Sequence, residues 1–91
     1  MNKAAIVRKI AQKTNLPLAQ VEKIVNAFLD AITSDLVSGE RVTISGFGTF
    51  EVRKMKETVK KVPGTGVQVQ VPEHFRPAFI AGRKLKNAVK K

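Results

Sequence analysis

The hydrophobic pattern of this 91-residue chain changes its period once, near Gly39, and this change restricts the fold. Before Gly39, apolar residues recur every three or four positions through residues 21–36, the spacing of an amphipathic helix. After it, apolar and polar residues alternate over residues 41–44, 49–53 and 67–71, the spacing of half-buried strands. A helical segment followed by strands predicts an α+β domain.

The predicted helices carry recognisable end signals. Asn2 is a candidate N-cap for a first helix, and Asn15 is suited to end that helix. Pro17 suits the first turn of the second helix, which we expect to stop at Gly39. A last short helix is expected after Gly82.

A long hairpin is predicted between the second helix and the last one. Residues 54–62 pair with residues 67–72 in this interpretation, and the tip has Pro63 and Gly64 at the two central positions of the turn. Residues 72–77 begin and end with proline, so we predict an irregular link there.

Positive charge is concentrated in the second half of the chain. Residues 1–52 carry six Lys or Arg against five acidic residues, a net charge of +1, whereas residues 53–91 carry eleven against two, a net charge of +9. This division indicates a scaffold joined to a surface that meets a polyanion, and nucleic acid is the commonest such partner. The basic residues of the predicted hairpin and last helix include Arg53, Lys54, Lys56, Lys60, Lys61, Arg83, Lys86 and Lys90.

Few residues are suited to catalysis or metal binding. The chain has no Cys, and its only His, His74, lies in the predicted link. Residues 64–66 lack the lysine and the following helix of a phosphate-binding P-loop. No signal peptide is visible, and no apolar run approaches the ~18–20 residues that cross a bilayer. We expect no enzyme activity, metal, cofactor, small-molecule substrate or membrane partner.

The basic hairpin has two interpretations. It is either a solvated edge whose charges block aggregation or a ribbon that tracks a DNA groove, with an apolar proline at its tip as a wedge between base steps. An isolated two-stranded ribbon is only marginally stable in water, so its length and charge favour a ribbon that a ligand orders.

Phe47, Phe50 and Phe79 also have two interpretations, a platform for stacking bases or packing in a core. The absence of Trp and Tyr favours the core. Hydrophobic residues make up 43% of the chain, more than one small core needs, which hints at a partner subunit.

Several segments together resemble the bacterial histone-like DNA-binding family HU/IHF, and HU most closely. They are residues 46–53, Pro63 with residues 65–66, and residues 77–79 with residues 81–86. The resemblance covers the whole chain without a gap. It implies two N-terminal helices, a three-stranded antiparallel sheet with a long β-ribbon arm, a short C-terminal helix and an intertwined dimer.

The family resemblance also implies a function. Such a protein is a non-enzymatic architectural protein that binds and bends double-stranded DNA through the minor groove with little sequence specificity. Nicked or distorted DNA, a homodimer and a cytoplasmic, nucleoid-associated location are expected. The single domain 1–91 then divides into a helical dimerisation base (1–38), the sheet and arm (41–80) and the C-terminal helix (82–91).

The expected site residues fall into two groups. Pro63 is the expected wedge. The other expected DNA-binding residues are Lys3, Arg53, Lys54, Lys56, Lys60, Lys61, Thr65, Gly66, Arg83 and Lys86. The expected dimer-core residues are Phe28, Ile32, Phe47, Phe50 and Phe79.

The chain departs from the family pattern at a few positions. Many relatives carry Arg-Asn before the tip proline, where this chain has Lys61 and Val62. Arm and saddle positions that are often basic are Met55, Thr58 and Ile80 here. Pro17 replaces a residue that is often Ser or Thr and so removes a hydroxyl cap from the second helix.

Two alternative functions remain open at this point. The first is a sequence-preferring bender of the IHF type, which reads A·T-rich or deformable sites indirectly. The second is a basic module that docks an acidic protein or an anionic membrane, although a Pro-tipped ribbon is unlike an amphipathic membrane helix.

Overall fold

The structure is a computed structural model that describes residues 1–90 of the chain. The chain forms two compact units, Met1–Ser34 and a second unit that begins at Asp35. Within the described residues, no helix is both long and apolar enough to cross a membrane.

Two helices, α1 (Lys3–Thr14) and α2 (Leu18–Val37), account for most of the first unit. The side-chain Oδ1 of Asn2 accepts a hydrogen bond of 2.9 Å from the backbone N–H of Ala5, so the predicted N-cap is confirmed. Asn15 follows α1 in the left-handed conformation with φ 57°, as expected of a residue that ends a helix.

The end of α2 is also confirmed. Gly39 adopts φ +83°, and its N–H donates to the carbonyl oxygen of Leu36 at 3.0 Å. A left-handed glycine directly after a helix satisfies one of the carbonyl groups that the last turn leaves unpaired.

Three strands form an antiparallel sheet in the order β1 (Val42–Ile44), β2 (Gly48–Met55) and β5 (His74–Ala81). Two shorter strands, β3 (Thr58–Lys61) and β4 (Gln68–Val71), form a separate antiparallel ladder. The α+β class and the three-stranded sheet with a ribbon arm are therefore confirmed.

The predicted link at residues 72–77 is wrong over most of its length. Residues from His74 onward belong to β5, and Pro77 lies opposite Val52 in the middle of the ladder. β5 is an edge strand, where a residue without an N–H is tolerated because one side of the strand has no partner. The hairpin prediction needs a related correction, because Lys54 and Met55 pair with β5.

A short helix, α3 (Arg83–Val89), follows Gly82 as predicted. The helix covers less than the expected range 82–91, of which Lys91 lies outside the described residues. The N–H of Gly82 donates to the carbonyl oxygen of Phe47 at 2.8 Å, which connects the start of α3 to the turn between β1 and β2.

The phenyl rings of Phe47 and Phe50 both contact the ring of Phe79, with centroid distances of 5.3 and 4.8 Å and tilted planes. Gly48 lies between Phe47 and Phe50 in the sequence and is buried, and its lack of a side chain leaves room for this cluster. A Cβ atom at Gly48 would lie 2.5 Å from Cζ of Phe79 and 2.6 Å from the carbonyl oxygen of Ile80. The packing interpretation of these aromatics is thus the one the structure supports.

Gly48→Ala should therefore destabilise the fold by about 1–3 kcal/mol, the usual cost of overpacking a tight site. Denaturant unfolding followed by circular dichroism measures this loss. Ser45→Ala, at an exposed position of the adjoining turn, is the matched control and should change the free energy of unfolding by less than about 0.5 kcal/mol. Equal stabilities of the two variants would contradict the close approach at Gly48.

Candidate nucleic-acid interface

The ribbon that carries most of the expected basic DNA-binding residues keeps one register from the sheet to the tip. Met55 lies opposite His74, and Thr58, three positions further on, lies opposite Val71, three positions back. No residue is therefore inserted or deleted between the two ladders. The ladders are interrupted next to Pro72, which has no N–H to donate.

The tip is a tight turn that exposes a proline. The N–H of Val62 donates to the carbonyl oxygen of Val67 at 2.8 Å and closes the ribbon. The N–H of Thr65 donates to the carbonyl oxygen of Val62 at 3.3 Å, and Gly64 has φ +82°, as a type II turn with Pro63 at its second position requires. The hydroxyl of Thr65 also donates to the carbonyl oxygen of Val62, at 3.1 Å. The predicted turn is confirmed, and Pro63 is exposed.

Alternation of side chains divides the basic cluster between the two faces of the ribbon. Lys61 lies opposite Gln68, and Lys60 lies opposite Val69, so the two lysines point to different faces. Because the register is continuous, Arg53 shares the face of Lys61, and Lys54 shares the face of Lys60. The alternation of residues 54–62 in the sequence predicts this division of Lys60 and Lys61 between two faces, and the register confirms it.

We call the face that carries Arg53 the arginine face. In the three-stranded sheet it is formed by Thr49, Glu51, Arg53 and Met55 of β2 and their partners His74, Arg76, Ala78 and Ile80 of β5.

Glu51 is the charged centre of the arginine face. Its Oε2 lies 3.3 Å from Nε of Arg53, and its Oε1 lies 3.5 Å from a terminal nitrogen of Arg41. The Glu51 side chain is 18% exposed, whereas that of Arg53 is 48% exposed. One partly buried carboxylate thus pairs with two arginines, and the side chains of both arginines are more exposed than its own.

Other basic residues of the ribbon differ in how they are paired. Nζ of Lys54 lies 3.2 Å from Oε1 of Glu73, an exposed pair that contributes little to stability. Within residues 1–90, Lys56, Lys60 and Lys61 make no ion pair with any acidic residue. Their charges are available to an external anion.

The remaining expected DNA-binding residues lie outside the ribbon. Arg83 and Lys86 are exposed on α3, in the same unit as the ribbon. Lys3 lies in the first unit, where its Nζ donates to Oδ1 of Asn26 at 2.9 Å.

The expected dimer-core residues are placed in both units. Phe28 and Ile32 lie on α2, and Ile32 is buried whereas Phe28 is 51% exposed. Phe47 and Phe79 are 45% and 42% exposed despite their ring contacts. Large apolar side chains on each unit therefore remain open to solvent in a single chain.

Arg76 is a candidate functional residue that the sequence interpretation missed. It lies directly opposite Arg53 and is exposed. The prolines on either side concealed the strand, although the alternation of Phe75, Arg76 and Pro77 fits one.

Comparisons with known proteins agree with this geometry. A family model described as "Bacterial DNA-binding protein" matches residues 1–90. The chain is 40% identical to DNA-binding protein HU-alpha of Vibrio proteolyticus over 99% of this chain and 100% of that protein. It is 42% identical to DNA-binding protein HU of Lactococcus lactis subsp. lactis over 98% of each.

Solved structures of HU proteins are also similar to this chain. HU in an Anabaena HU–DNA cocrystal structure superposes with a TM-score of 0.90 at 34% identity, covering 98% of this chain and 97% of that one. HU from Thermotoga maritima superposes with a TM-score of 0.71 at 30% identity, covering 99% and 100%. The chain belongs to the bacterial DNA-binding protein family, HU/IHF, that its sequence resembles.

Proposed function

We propose that this protein is a non-enzymatic architectural protein that binds and bends double-stranded DNA through the minor groove and so compacts and organises the nucleoid. The observation that carries the proposal is the ribbon of constant register that ends in an exposed Pro63 and carries unpaired lysines. Family membership supports it, and the Anabaena relative was solved as a complex with DNA.

The proposed mechanism separates affinity from bending. Lysine and arginine side chains neutralise backbone phosphates and release counterions, which supplies affinity without reading the sequence. Pro63 enters a base step from the minor groove and partly unstacks it, at a cost of a few kcal/mol per step. The residues that we assign to backbone and groove contacts are Lys3, Arg53, Lys54, Lys56, Lys60, Lys61, Thr65, Gly66, Arg83 and Lys86.

We also propose that the working form is an intertwined homodimer that presents two arms. Exposed phenyl rings at Phe28, Phe47 and Phe79 support it, because burial against a second copy would remove them from water. Residues 1–38 would then serve as the dimerisation base, residues 41–80 as the sheet and arm, and α3 (Arg83–Val89) as the C-terminal helix. Ile32 and Phe50 would complete the shared core.

General binding is favoured over the two alternatives. The tip turn presents Pro63 and backbone groups, which carry no code for base edges, so we infer little sequence preference and not an IHF-type preference. A basic module for acidic proteins or membranes would have no use for a proline held at the end of a ribbon. We infer a cytoplasmic, nucleoid-associated location from the DNA partner.

Bending of duplex DNA by the wild type and by Pro63→Ala tests the proposal. Fluorescence energy transfer between dyes at the two ends of a duplex should show that the wild type bends both intact and nicked DNA. Pro63→Ala should bend both less and lose most of the preference for nicked DNA, because unstacking is cheapest where the strand is already broken. Weak electrostatic binding to intact duplex should remain.

Two further variants make the bending experiment specific. Pro72→Ala changes the arm proline that is not at the tip and should bend DNA like the wild type. Lys61→Arg should tighten binding, most of all on A·T-rich duplex, because arginine is less strongly hydrated than lysine and is favoured in narrow minor grooves. If Pro63→Ala bent both duplexes as much as the wild type does, the arm would only hold phosphates and Pro63 would not be the wedge.

A further inference from the structure

We propose that Arg53 and Arg76 together form a clasp for one phosphodiester group of the DNA backbone. The proposal rests on the function proposed above and adds a ligand group and a second arginine to it. Its structural basis is the β2–β5 register, which sets the two residues directly opposite each other on the arginine face.

The distance between the two positions suits a shared ligand. Directly opposite residues of an antiparallel pair have Cβ atoms about 4.5–5.5 Å apart, and their side chains leave the same face of the sheet. Each guanidinium group has a planar fork of N–H donors that matches the oxygens of a phosphate. A phosphodiester has two unesterified oxygens, so two neighbouring forks can hold it at once.

The local charge on the arginine face favours an anion at this point. Arg41, Arg53 and Arg76 are accompanied by one carboxylate, that of Glu51. In the described part of the chain, Arg76 has no ion pair and no side-chain hydrogen bond. Like charges directly opposite one another on a sheet are destabilising, and a phosphate placed between them converts that repulsion into two attractions.

Glu51 does not block the approach of such an anion. It pairs with Nε of Arg53, so the two terminal nitrogens of that guanidinium remain available as donors. The Glu51 carboxylate is also less exposed than the Arg53 side chain, so an anion that arrives from solvent meets the guanidinium first.

Double-mutant analysis of DNA binding tests the clasp. Affinity for a short intact duplex would be measured by fluorescence anisotropy between about 50 and 200 mM salt, the range in which counterion release is steep. The variants are Arg53→Gln, Arg76→Gln and the double variant, and Lys23→Gln on α2 is the control that removes one positive charge elsewhere. Melting curves establish that each variant is folded.

Each single variant should bind about tenfold more weakly, since each loses charge-assisted hydrogen bonds. The affinity loss of the double variant should be smaller than the product of the two single-variant losses, because both arginines hold the same phosphate. With two arms per dimer, its salt slope should fall by about 1.8, against about 3.6 if each arginine held its own phosphate. Arg76→Lys keeps the positive charge but loses the planar fork of donors, so it should recover only part of the affinity that Arg76→Gln loses.

Two results would overturn the clasp. If Arg76→Gln binds within twofold of Lys23→Gln, Arg76 is not part of the interface. If the affinity losses of the two single variants multiply in the double variant and its salt slope changes by about 3.6, each arginine holds a separate phosphate. Failure of the wild type to bind duplex DNA would instead overturn the proposed function itself.

Free phosphate offers the same chemistry as the DNA backbone, and NMR separates the two sources. The Nε–Hε signals of Arg53 and Arg76 should respond to micromolar duplex but not to millimolar inorganic phosphate at matched ionic strength. A response to inorganic phosphate at lower concentration than to duplex would identify a free-phosphate site and overturn the assignment to DNA.

Discussion

Raising the salt concentration from about 50 to about 200 mM should weaken binding to intact duplex DNA about a thousandfold. The reason is that residues 53–91 carry a net charge of +9 and that Lys56, Lys60 and Lys61 have no acidic partner in the described residues. If a dimer contacts about six phosphates, the logarithm of the binding constant should fall against the logarithm of salt concentration with a slope of roughly −5.

Fluorescence anisotropy with labelled duplexes of one length measures this slope. Random, A·T-rich and G·C-rich sequences should give closely similar slopes, because backbone contacts do not depend on the bases. A slope near zero would contradict the electrostatic mechanism. One defined sequence that bound far more tightly than random DNA at the same salt concentration would instead favour a sequence-preferring bender.

The helix ends and the arm tip are the parts of this fold that the sequence predicts best, because their chemistry is local. Asn2, Asn15 and Gly39 each act through backbone groups within four residues, and the structure has all three in the expected positions. Pro63 and Gly64 likewise determine their turn without help from the rest of the molecule.

Strand β5 could not be predicted in the same way, because its stability depends on distant residues. Pro72 and Pro77 indicate a break when only neighbours are considered. The strand persists because β2 provides a full ladder of partners and because the outer edge of β5 needs no N–H at Pro77. Arg76 was missed for this reason.

Which acidic and basic side chains form ion pairs also could not be predicted from the sequence. Lys54 and Glu73 are 19 positions apart, and only the β2–β5 ladder brings their side chains to 3.2 Å. Glu51 attracts Arg41 and Arg53 through the same sheet. A count of basic residues predicts a basic surface that binds a polyanion. The register of the strands then decides which of its charges are left unpaired and available to that polyanion.

Phe79→Ala should lower the free energy of unfolding by about 3–5 kcal/mol, the cost of truncating a fully buried phenylalanine. In a single chain the ring is 42% exposed, although it contacts Phe47 and Phe50. A side chain that remained so exposed would cost much less to remove. The full loss is therefore expected only if a second copy covers the ring.

Urea unfolding and thermal melts over a hundredfold range of protein concentration measure this effect. The melting temperature of the wild type should rise with concentration, because dimer formation stabilises the folded state by mass action. Phe75→Ala is the matched control, since Phe75 belongs to the same strand but is 69% exposed, and it should cost less than about 1 kcal/mol. Equal losses for the two variants, with a melting temperature independent of concentration and a monomer mass by ultracentrifugation, would contradict the dimer. A large loss confined to Phe79→Ala would show that the apolar surface left open on one chain is the surface that a second chain buries.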